Sequence, residues 1–207
     1  MSVPADRKKN PLTAKSAFLF LLVPLLLLLL LLPGFFFSLE GKASAQAEIR
    51  DVVVSNSRQD LLLYLQVDKA FRAEIEEGIF NGIPVLYTFF VSLREVDPEG
   101  RPGSQVTGME FERALSYDSL KEVFNLRFSE DNTAIAVDDF EKAKTLMTEV
   151  NGVKVVELAR LRPGNTYFLS VKVRMERENL PLFFKYLIPF WQLKDEETDW
   201  QYVKFRY

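Results

Sequence analysis

The fold is decided by Val85–Arg94, whose sequence is VLYTFFVSLR. Apolar side chains occupy every second position from Val85 to Leu93, while the alternate positions mix apolar and polar residues. Successive side chains of a β-strand point to opposite faces of the sheet, so this alternation indicates a strand with one face in a core. The stretch therefore predicts a long strand inside a β-rich domain.

Similar stretches lie on both sides of this strand. Ile49–Ser55 and Leu61–Val67 are separated by a turn at 57–60, which predicts a β-hairpin. Residues 97–104 are rich in Pro and Gly and predict a long connection between strands. The further predicted strands cover 109–117, 124–128, 153–161, 167–175 and 200–207.

A first short helix is predicted between the hairpin and the long strand. Phe71, Ile75 and Ile79 are spaced by four residues, which places them on one helix face. Asn81–Gly82 predicts the end of this helix, because Gly adopts the left-handed conformation that commonly follows a helix.

A second helix is predicted from a capping pattern. Asp138 as N-cap and Glu141 three residues later form a capping box, in which each side chain accepts a hydrogen bond from a free backbone N–H. Asn151–Gly152 predicts its end. The apolar face of this helix consists of Phe140, Ala143, Met147 and Val150.

This order of elements favours a mainly β fold. Many short strands with regular turn spacing predict an antiparallel β-sandwich, immunoglobulin-like, with two short connecting helices. The alternative is an α+β fold, in which both helices pack on one face of a single sheet.

The N-terminus predicts export. Basic residues at positions 7–9 and 15 precede the apolar run 17–39, and Ala43–Gln46 resembles a signal cleavage site. The run is also long enough for a membrane anchor, which needs about 20 apolar residues. Residues 1–45 are therefore a signal peptide cleaved near Ala45 or an anchor with its N-terminus in the cytoplasm. Residues 46–207 are predicted to form one extracytoplasmic, periplasmic domain.

Composition argues against several classes of function. The chain has 26 basic and 29 acidic residues, of which five basic and two acidic residues lie in 1–45. Residues 46–207 therefore carry 21 basic and 27 acidic residues, a net charge of −6. This domain lacks the basic surface of a nucleic-acid-binding protein. The chain has no His, the commonest general base and metal ligand, and no Cys. No cofactor is expected.

Three polar clusters have structural explanations. Asp138–Glu141 is explained by the helix cap, and the acidic residues of 195–199 by a solvated turn. Ser116–Asp118 has no base beside it that could activate a nucleophile. The sequence therefore predicts no catalytic, cofactor-binding or metal-binding residues and no enzyme.

The segment 180–191 (LPLFFKYLIPFW) is the most unusual part of the domain. It is too short and too rich in Pro to span a bilayer. Its aromatic residues suit a membrane interface or the groove of a partner protein, while burial in the core is the alternative. The candidate contact residues are Leu182, Phe183, Phe184, Tyr186, Leu187, Ile188, Phe190 and Trp191.

Three stretches resemble a known family. Phe80–Phe89, which contains Asn-Gly-Ile-Pro, Arg113–Leu120 and the tail 180–200 are similar to the bacterial domain-of-unknown-function family numbered 4390. The resemblance covers 47–207. It implies an exported or membrane-anchored envelope protein, an accessory role beside a sensor histidine kinase, and no catalytic residues. The loop 97–107 departs from the family, for which a Trp-rich, basic sequence is expected.

The sequence leaves two main functions open, and an envelope hydrolase ranks behind both because His and Cys are missing. The first is a non-enzymatic protein-interaction module that binds an envelope protein on the outer side of the inner membrane. If the N-terminus is uncleaved, residues 17–39 hold this module in the membrane. The second is a β-sandwich that binds an apolar small ligand or lipid, for which the large apolar residues on both faces of 85–93 argue.

Overall fold

The computed structural model describes residues 46–177 and 196–207, which belong to one compact unit. This part of the chain is mainly β, and its antiparallel sheets pack in a sandwich-like arrangement with two helices, as predicted. The elements are β1 (Glu48–Asn56), β2 (Asp60–Asp68), α1 (Ala73–Phe80), β3 (Val85–Val96), β4 (Pro102–Asp118), β5 (Val123–Phe128), β6 (Thr133–Val137), α2 (Phe140–Thr148), β7 (Glu149–Glu157), β8 (Thr166–Arg177), β9 (Glu196–Glu197) and β10 (Gln201–Arg206).

The strands form a small and a large sheet. The small sheet has the order β1-β2-β7, and its first two strands are the predicted hairpin. The large sheet has the order β10-β8-β3-β4-β5-β6, with β9 beside β10 on the same edge of β8. The long strand β3 lies between β4 and β8 and pairs with both over most of its length.

The core lies between the facing sides of the two sheets. All five alternating apolar residues of β3 are buried, as the periodicity predicts, and they belong to the same cluster as the inward residues of β2 and β8. Tyr87 is the polar member of this set, and its hydroxyl donates a hydrogen bond to the carbonyl of Ala70 at 3.0 Å. Burial raises the pKa of the Tyr87 hydroxyl far above its usual value, so this proton stays in place.

The first helix ends as predicted but begins later than its apolar spacing indicates. Asn81 is the C-cap and Gly82 has a φ of +80°, the left-handed conformation that Gly adopts without steric cost. Ile79 is buried on the inner face. Phe71 lies before the helix, where its ring packs 5.6 Å from the ring of Tyr87.

The N-cap of the second helix is Asp139, and the prediction of Asp138 was wrong. The Asp139 carboxylate accepts hydrogen bonds from the backbone N–H of Glu141 at 2.8 Å and of Lys142 at 3.3 Å. The Glu141 side chain pairs with Lys144 at 2.6 Å. Two adjacent aspartates can both cap a helix in principle, so the sequence alone did not fix the starting residue.

The second helix also ends earlier than predicted. It stops at Thr148, and β7 begins at the next residue. Val150 is buried, but it reaches the core from a strand. Asn151–Gly152, which was predicted to end the helix, lies within β7, where Gly152 has a φ of +80° and is the extra residue at a shift in the pairing with β2. One type of bulge and one common type of helix end both use a Gly in this left-handed conformation, so the sequence alone is compatible with either.

Two features of the large sheet differ from the predictions. The connection 97–104 is a tight hairpin turn, because β3 continues to Val96 and β4 begins at Pro102. The Asp97 carboxylate accepts the backbone N–H of Arg101 at 2.7 Å and closes this turn. Strand β6, with the sequence TAIAV, was not predicted, since it is short and has no charged residue to mark an outer face.

Candidate functional site

The predicted contact residues, from Leu182 to Trp191, lie outside the described residues. Within the described residues, 46–177 and 196–207, no helix is long and apolar enough to cross a membrane. The same part of the chain holds no group of three His, Cys, Asp or Glu side chains placed to bind a metal ion.

The most buried charged groups are Arg113 of β4 and Glu130, which follows β5. Their side chains are 6% and 9% exposed, and the Arg113 guanidinium contacts Oε1 of Glu130 at 2.6 Å from Nη2 and 2.8 Å from Nε. A buried ion pair is tolerated when its geometry is good and the remaining donors are satisfied. This pair therefore needs further partners, and the chain supplies them for Arg113.

Arg113 also joins the large sheet to the second helix and β7. Its Nη1 donates to the carbonyls of Leu146 at 2.8 Å and of Glu149 at 2.6 Å, at the junction of α2 and β7. The guanidinium carbon lies 5.3 Å from the ring centre of Phe128 and 5.6 Å from that of Phe89, distances at which a cation is attracted to an aromatic face. Arg113 thus holds the junction in place.

Glu130 is only partly satisfied. Its Oε1 accepts both contacts from Arg113, whereas its Oε2 is buried and has no hydrogen-bond partner among the described residues. A buried acceptor without a donor costs free energy. The Glu130 carboxylate therefore depends on Arg113 for its stabilisation.

A groove of about 510 Å³ opens beside this pair. One wall is the inner side of β4 to β6, which contributes Phe128 and Ile135, and the other is β7, which contributes Val153. Arg113 and Glu130 also line the groove. A smaller cavity of about 430 Å³ is lined by Leu86, Ala114 and Arg127 on the other face of the large sheet.

Strand β6 forms one edge of this groove. It pairs with β5 alone, and no strand of the described residues pairs with its second edge. Ile135 lies opposite the buried Leu126, on the inner face, and is still 40% exposed. The sheet therefore ends here with an apolar side chain over the groove.

The opposite end of the large sheet carries charge on its surface. Glu197 of β9 pairs with Lys172 and with Arg174, the latter at 2.7 Å, and the Arg174 guanidinium lies 4.9 Å from the ring centre of Phe90. First Lys172 and then Arg174 hold the pKa of Glu197 below its usual value. Nearby, the Thr198 hydroxyl accepts the backbone N–H of Val173 at 3.0 Å and extends the pairing of β8.

The remaining polar clusters that the sequence singled out have local roles. Asp139 caps a helix, and the Asp118 carboxylate accepts the backbone N–H groups of Leu120 at 3.0 Å and Lys121 at 3.1 Å in a turn. These bonds hold the pKa of Asp118 below its usual value, the bond from Lys121 first. In the run 195–199, Glu196 pairs with Arg72 at 2.8 Å.

Sequence reasoning missed the ion pair and the groove. Arg113 occupies an inward position in the alternation of β4, between Phe111 and Leu115, and this was the available signal. A charged residue at a core position needs a buried partner. Glu130 lies after a strand end, where nothing in the sequence marks it as that partner.

The family of the chain follows from a family model. No curated protein and no solved structure matches the chain. The model of "Domain of unknown function (DUF4390)" matches residues 44–204, which make up most of the chain. This is the same family that the sequence resembles. The chain belongs to the DUF4390 family.

Proposed function

We propose that this chain is a non-enzymatic protein-interaction module of the cell envelope, with its β-rich domain on the periplasmic side of the inner membrane. The basic and apolar N-terminus supports the compartment, whether residues 17–39 remain as an anchor or are removed by cleavage near Ala45.

The contrast between a buried ion pair and an exposed apolar side chain supports an interaction role. The buried pair Arg113–Glu130 binds elements of the domain to one another. In contrast, Ile135 of β6 remains 40% exposed over the groove. An exposed apolar side chain over a groove with further apolar walls is typical of a surface that binds another molecule. This contrast is the observation that carries the proposal.

The partner that the family resemblance favours is a sensor histidine kinase of the envelope. Affinity purification of the tagged full chain, after reversible crosslinking in intact cells, tests the interaction. Recovery of the kinase in stoichiometric amount is expected. Recovery of the chain alone would contradict a role in protein binding.

The compartment is tested separately. A phosphatase that folds only outside the cytoplasm, fused after Tyr207, is expected to be active, and a cytosolic reporter at the same position is expected to be inactive. The reverse result would overturn the proposed location. N-terminal sequencing then separates cleavage, which gives Gln46 as first residue, from an anchor, which leaves Met1.

The apolar segment from Leu182 to Trp191 is a proposed second contact, with a membrane or a partner. Liposome flotation of the purified protein after signal removal tests the membrane version. We expect a Phe183→Ser/Phe184→Ser/Trp191→Ser variant to lose the flotation of the unaltered protein, since aromatic side chains sit at headgroup level. A protein that does not float would end the membrane version.

The alternative, a site for an apolar small ligand or lipid, is supported by the size of the groove beside Ile135, which is in the range of small-ligand sites. Its charged wall argues against this alternative, because an apolar ligand would cover Arg113 and Glu130 without giving Glu130 a donor. Organic extraction of the purified protein followed by mass spectrometry tests it, and a stoichiometric lipid would favour the alternative.

A further inference from the structure

The strand edges of the domain differ in their protection against pairing. Natural sheets protect their edges with charged side chains and with bulges, because an uncovered edge accepts any extended chain. The β10 edge carries Lys204 and Arg206, and β1 has a bulge between Arg50 and Val53. Strand β7 has two shifts in its pairing with β2, and it carries Lys154.

Strand β6 has neither form of protection. Its five residues include no charged side chain, and its pairing with β5 is free of register shifts. All residues from Thr133 to Ala136 are exposed. Among the edge strands β1, β6, β7 and β10, this one is best suited to accept a further strand.

Acidic side chains lie at both ends of β6. Asp131 precedes the strand, and Asp138 and Asp139 follow it. All three are exposed, and none forms an ion pair with a basic side chain within the described residues. A strand of five residues is about 17 Å long. An added strand would therefore meet negative charge at either end, whichever direction it runs.

This charge pattern selects the occupant. A second copy of the chain, paired antiparallel through β6, would place Asp131 of each copy beside Asp138 and Asp139 of the other, so like charges would meet at both ends. A partner with Lys or Arg on both sides of a neutral run would instead find opposite charge at both ends.

The groove favours apolar side chains at the inward positions of that run. An added strand beside β6 would present alternate side chains to the same face as Ile135, over the groove. An apolar side chain at the central inward position would pack beside Ile135 on that face.

We propose that the free edge of β6 binds an extended segment of a partner protein as an additional strand, and that this segment is a neutral run of about five residues flanked by Lys or Arg. Strand addition of this kind gives affinity through backbone hydrogen bonds and specificity through alternate side chains. The inference rests on the proposed function and names the binding surface of that module.

The probe for the test is the synthetic peptide KKVTVTVKK, labelled for fluorescence anisotropy. The full chain, in detergent micelles, is titrated against this peptide, against EEVTVTVEE, and against a form of the basic peptide with N-methyl groups on its five central backbone amides. We expect the first peptide to bind and the other two to bind at least tenfold more weakly. Rising salt should weaken binding of the first peptide, because its lysines contribute.

Variants then assign the site. Ile135→Lys is expected to weaken binding at least tenfold, and Asp131→Asn/Asp138→Asn at least threefold. Tyr202→Lys is the matched control on the β10 edge, where the original side chain is 56% exposed, and should change binding less than twofold. If Ile135→Lys unfolds the protein, Ala136→Lys replaces it, since Ala136 is also exposed. Amide hydrogen exchange should slow in 133–137 and not in 201–206.

Several results would overturn the inference. These are the absence of binding by the basic peptide at 1 mM, equal binding of the acidic or N-methylated peptide, and equal effects of Ile135→Lys and Tyr202→Lys. Sedimentation that shows a dimer of the wild-type chain and a monomer of Ile135→Lys would also overturn it, because the occupant would then be a second copy.

Failure of this inference differs from failure of the proposed function. If the reporter and the crosslinking experiments hold but Ile135→Lys still recovers the partner, only the assignment of β6 is wrong. If the basic peptide binds at β6 but the reporter is active only in the cytosol, the proposed envelope function is wrong.

Discussion

The two ends of the large sheet use charge in opposite ways. At the β10 end, Glu197 pairs with Lys172 and Arg174 on the surface, and the edge strand itself carries charged side chains. At the β6 end, the edge strand has no charge, and the buried ion pair Arg113–Glu130 lines the groove beside it. Charge at the first end protects an edge, whereas charge at the second fixes the shape of an edge that remains open.

The largest effect is expected from Arg113→Leu at the β6 end. This change leaves Glu130 buried without its cation and removes the hydrogen bonds that Arg113 donates to the carbonyls of Leu146 and Glu149. Removing one partner of a buried pair typically costs 3–5 kcal/mol, so we expect the free energy of unfolding to fall by about that amount. Urea unfolding of the full chain in micelles measures it.

Two further variants sharpen this result. Arg101→Leu removes an exposed arginine that pairs within a turn, and it should change stability by less than about 1 kcal/mol. Arg113→Leu/Glu130→Leu should recover more than half of the loss, because apolar residues often replace a buried pair at little cost. A double variant as unstable as Arg113→Leu would show that the backbone contacts of Arg113, and not its pairing with Glu130, dominate.

A smaller effect is expected from the cap that follows β6. Asp139→Ala should lower the free energy of unfolding by about 1 kcal/mol, since two backbone N–H groups of α2 lose their acceptor. Asp138→Ala is the matched control and should stay within about 0.5 kcal/mol. The same unfolding assay compares them. A larger loss for Asp138→Ala would move the cap back to the residue that the sequence pattern suggested.

The smallest effect is expected at the β10 end, and it depends on pH. Lys172 and Arg174 lower the pKa of Glu197, so its ionised form stabilises the folded state above the usual carboxyl pKa of about 4.3. That stabilisation is lost as pH falls through the lowered pKa of the folded state. Glu197→Gln should therefore be less stable than the wild type at pH 7, with a difference that disappears in acid.

Thermal unfolding between pH 7 and pH 2 measures this difference. Glu74→Gln is the control, because Glu74 is exposed and forms no ion pair with a described residue. A difference for Glu197→Gln that persists at pH 2 would show that the ion pairs are not its cause.

The central strands were predictable because they are long and their burial is one-sided. In β2, β3 and β8 the alternation extends over enough residues to distinguish a strand from a helix, and the predicted inward residues are buried. The same reasoning failed for β6, since TAIAV has small and apolar residues on both faces. A strand whose two faces look alike gives no periodic signal.

The junction of α2 and β7 could not be resolved from the sequence. Val150 lies three residues after Met147, as the face of a helix requires, and it is also the first buried residue of β7. Its position therefore fits the periodicity of a helix and that of a strand. Arg113 decides the outcome through its hydrogen bonds to Leu146 and Glu149, on either side of the junction. That contact joins residues more than 30 positions apart, beyond the reach of a local pattern.

The candidate site was hidden for the same reason. Its groove is formed by Ile135 from an unpredicted strand, by Val153 from a strand whose start was misplaced, and by an ion pair between β4 and the turn after β5. Each part depends on tertiary contacts. The segment that the sequence singled out as a candidate contact surface, 182–191, lies outside the described residues and stays a prediction.

Site-specific photocrosslinking in intact cells tests the comparison of the two edges most directly. A photoreactive amino acid is placed at Ala136 in β6 or at Tyr202 in β10, and crosslinked peptides are identified by mass spectrometry. The β6 position should capture a different protein at a neutral segment flanked by Lys or Arg, and the β10 position should capture it far less. Capture at Tyr202 alone, or only of a second copy of the chain at Ala136, would contradict the account.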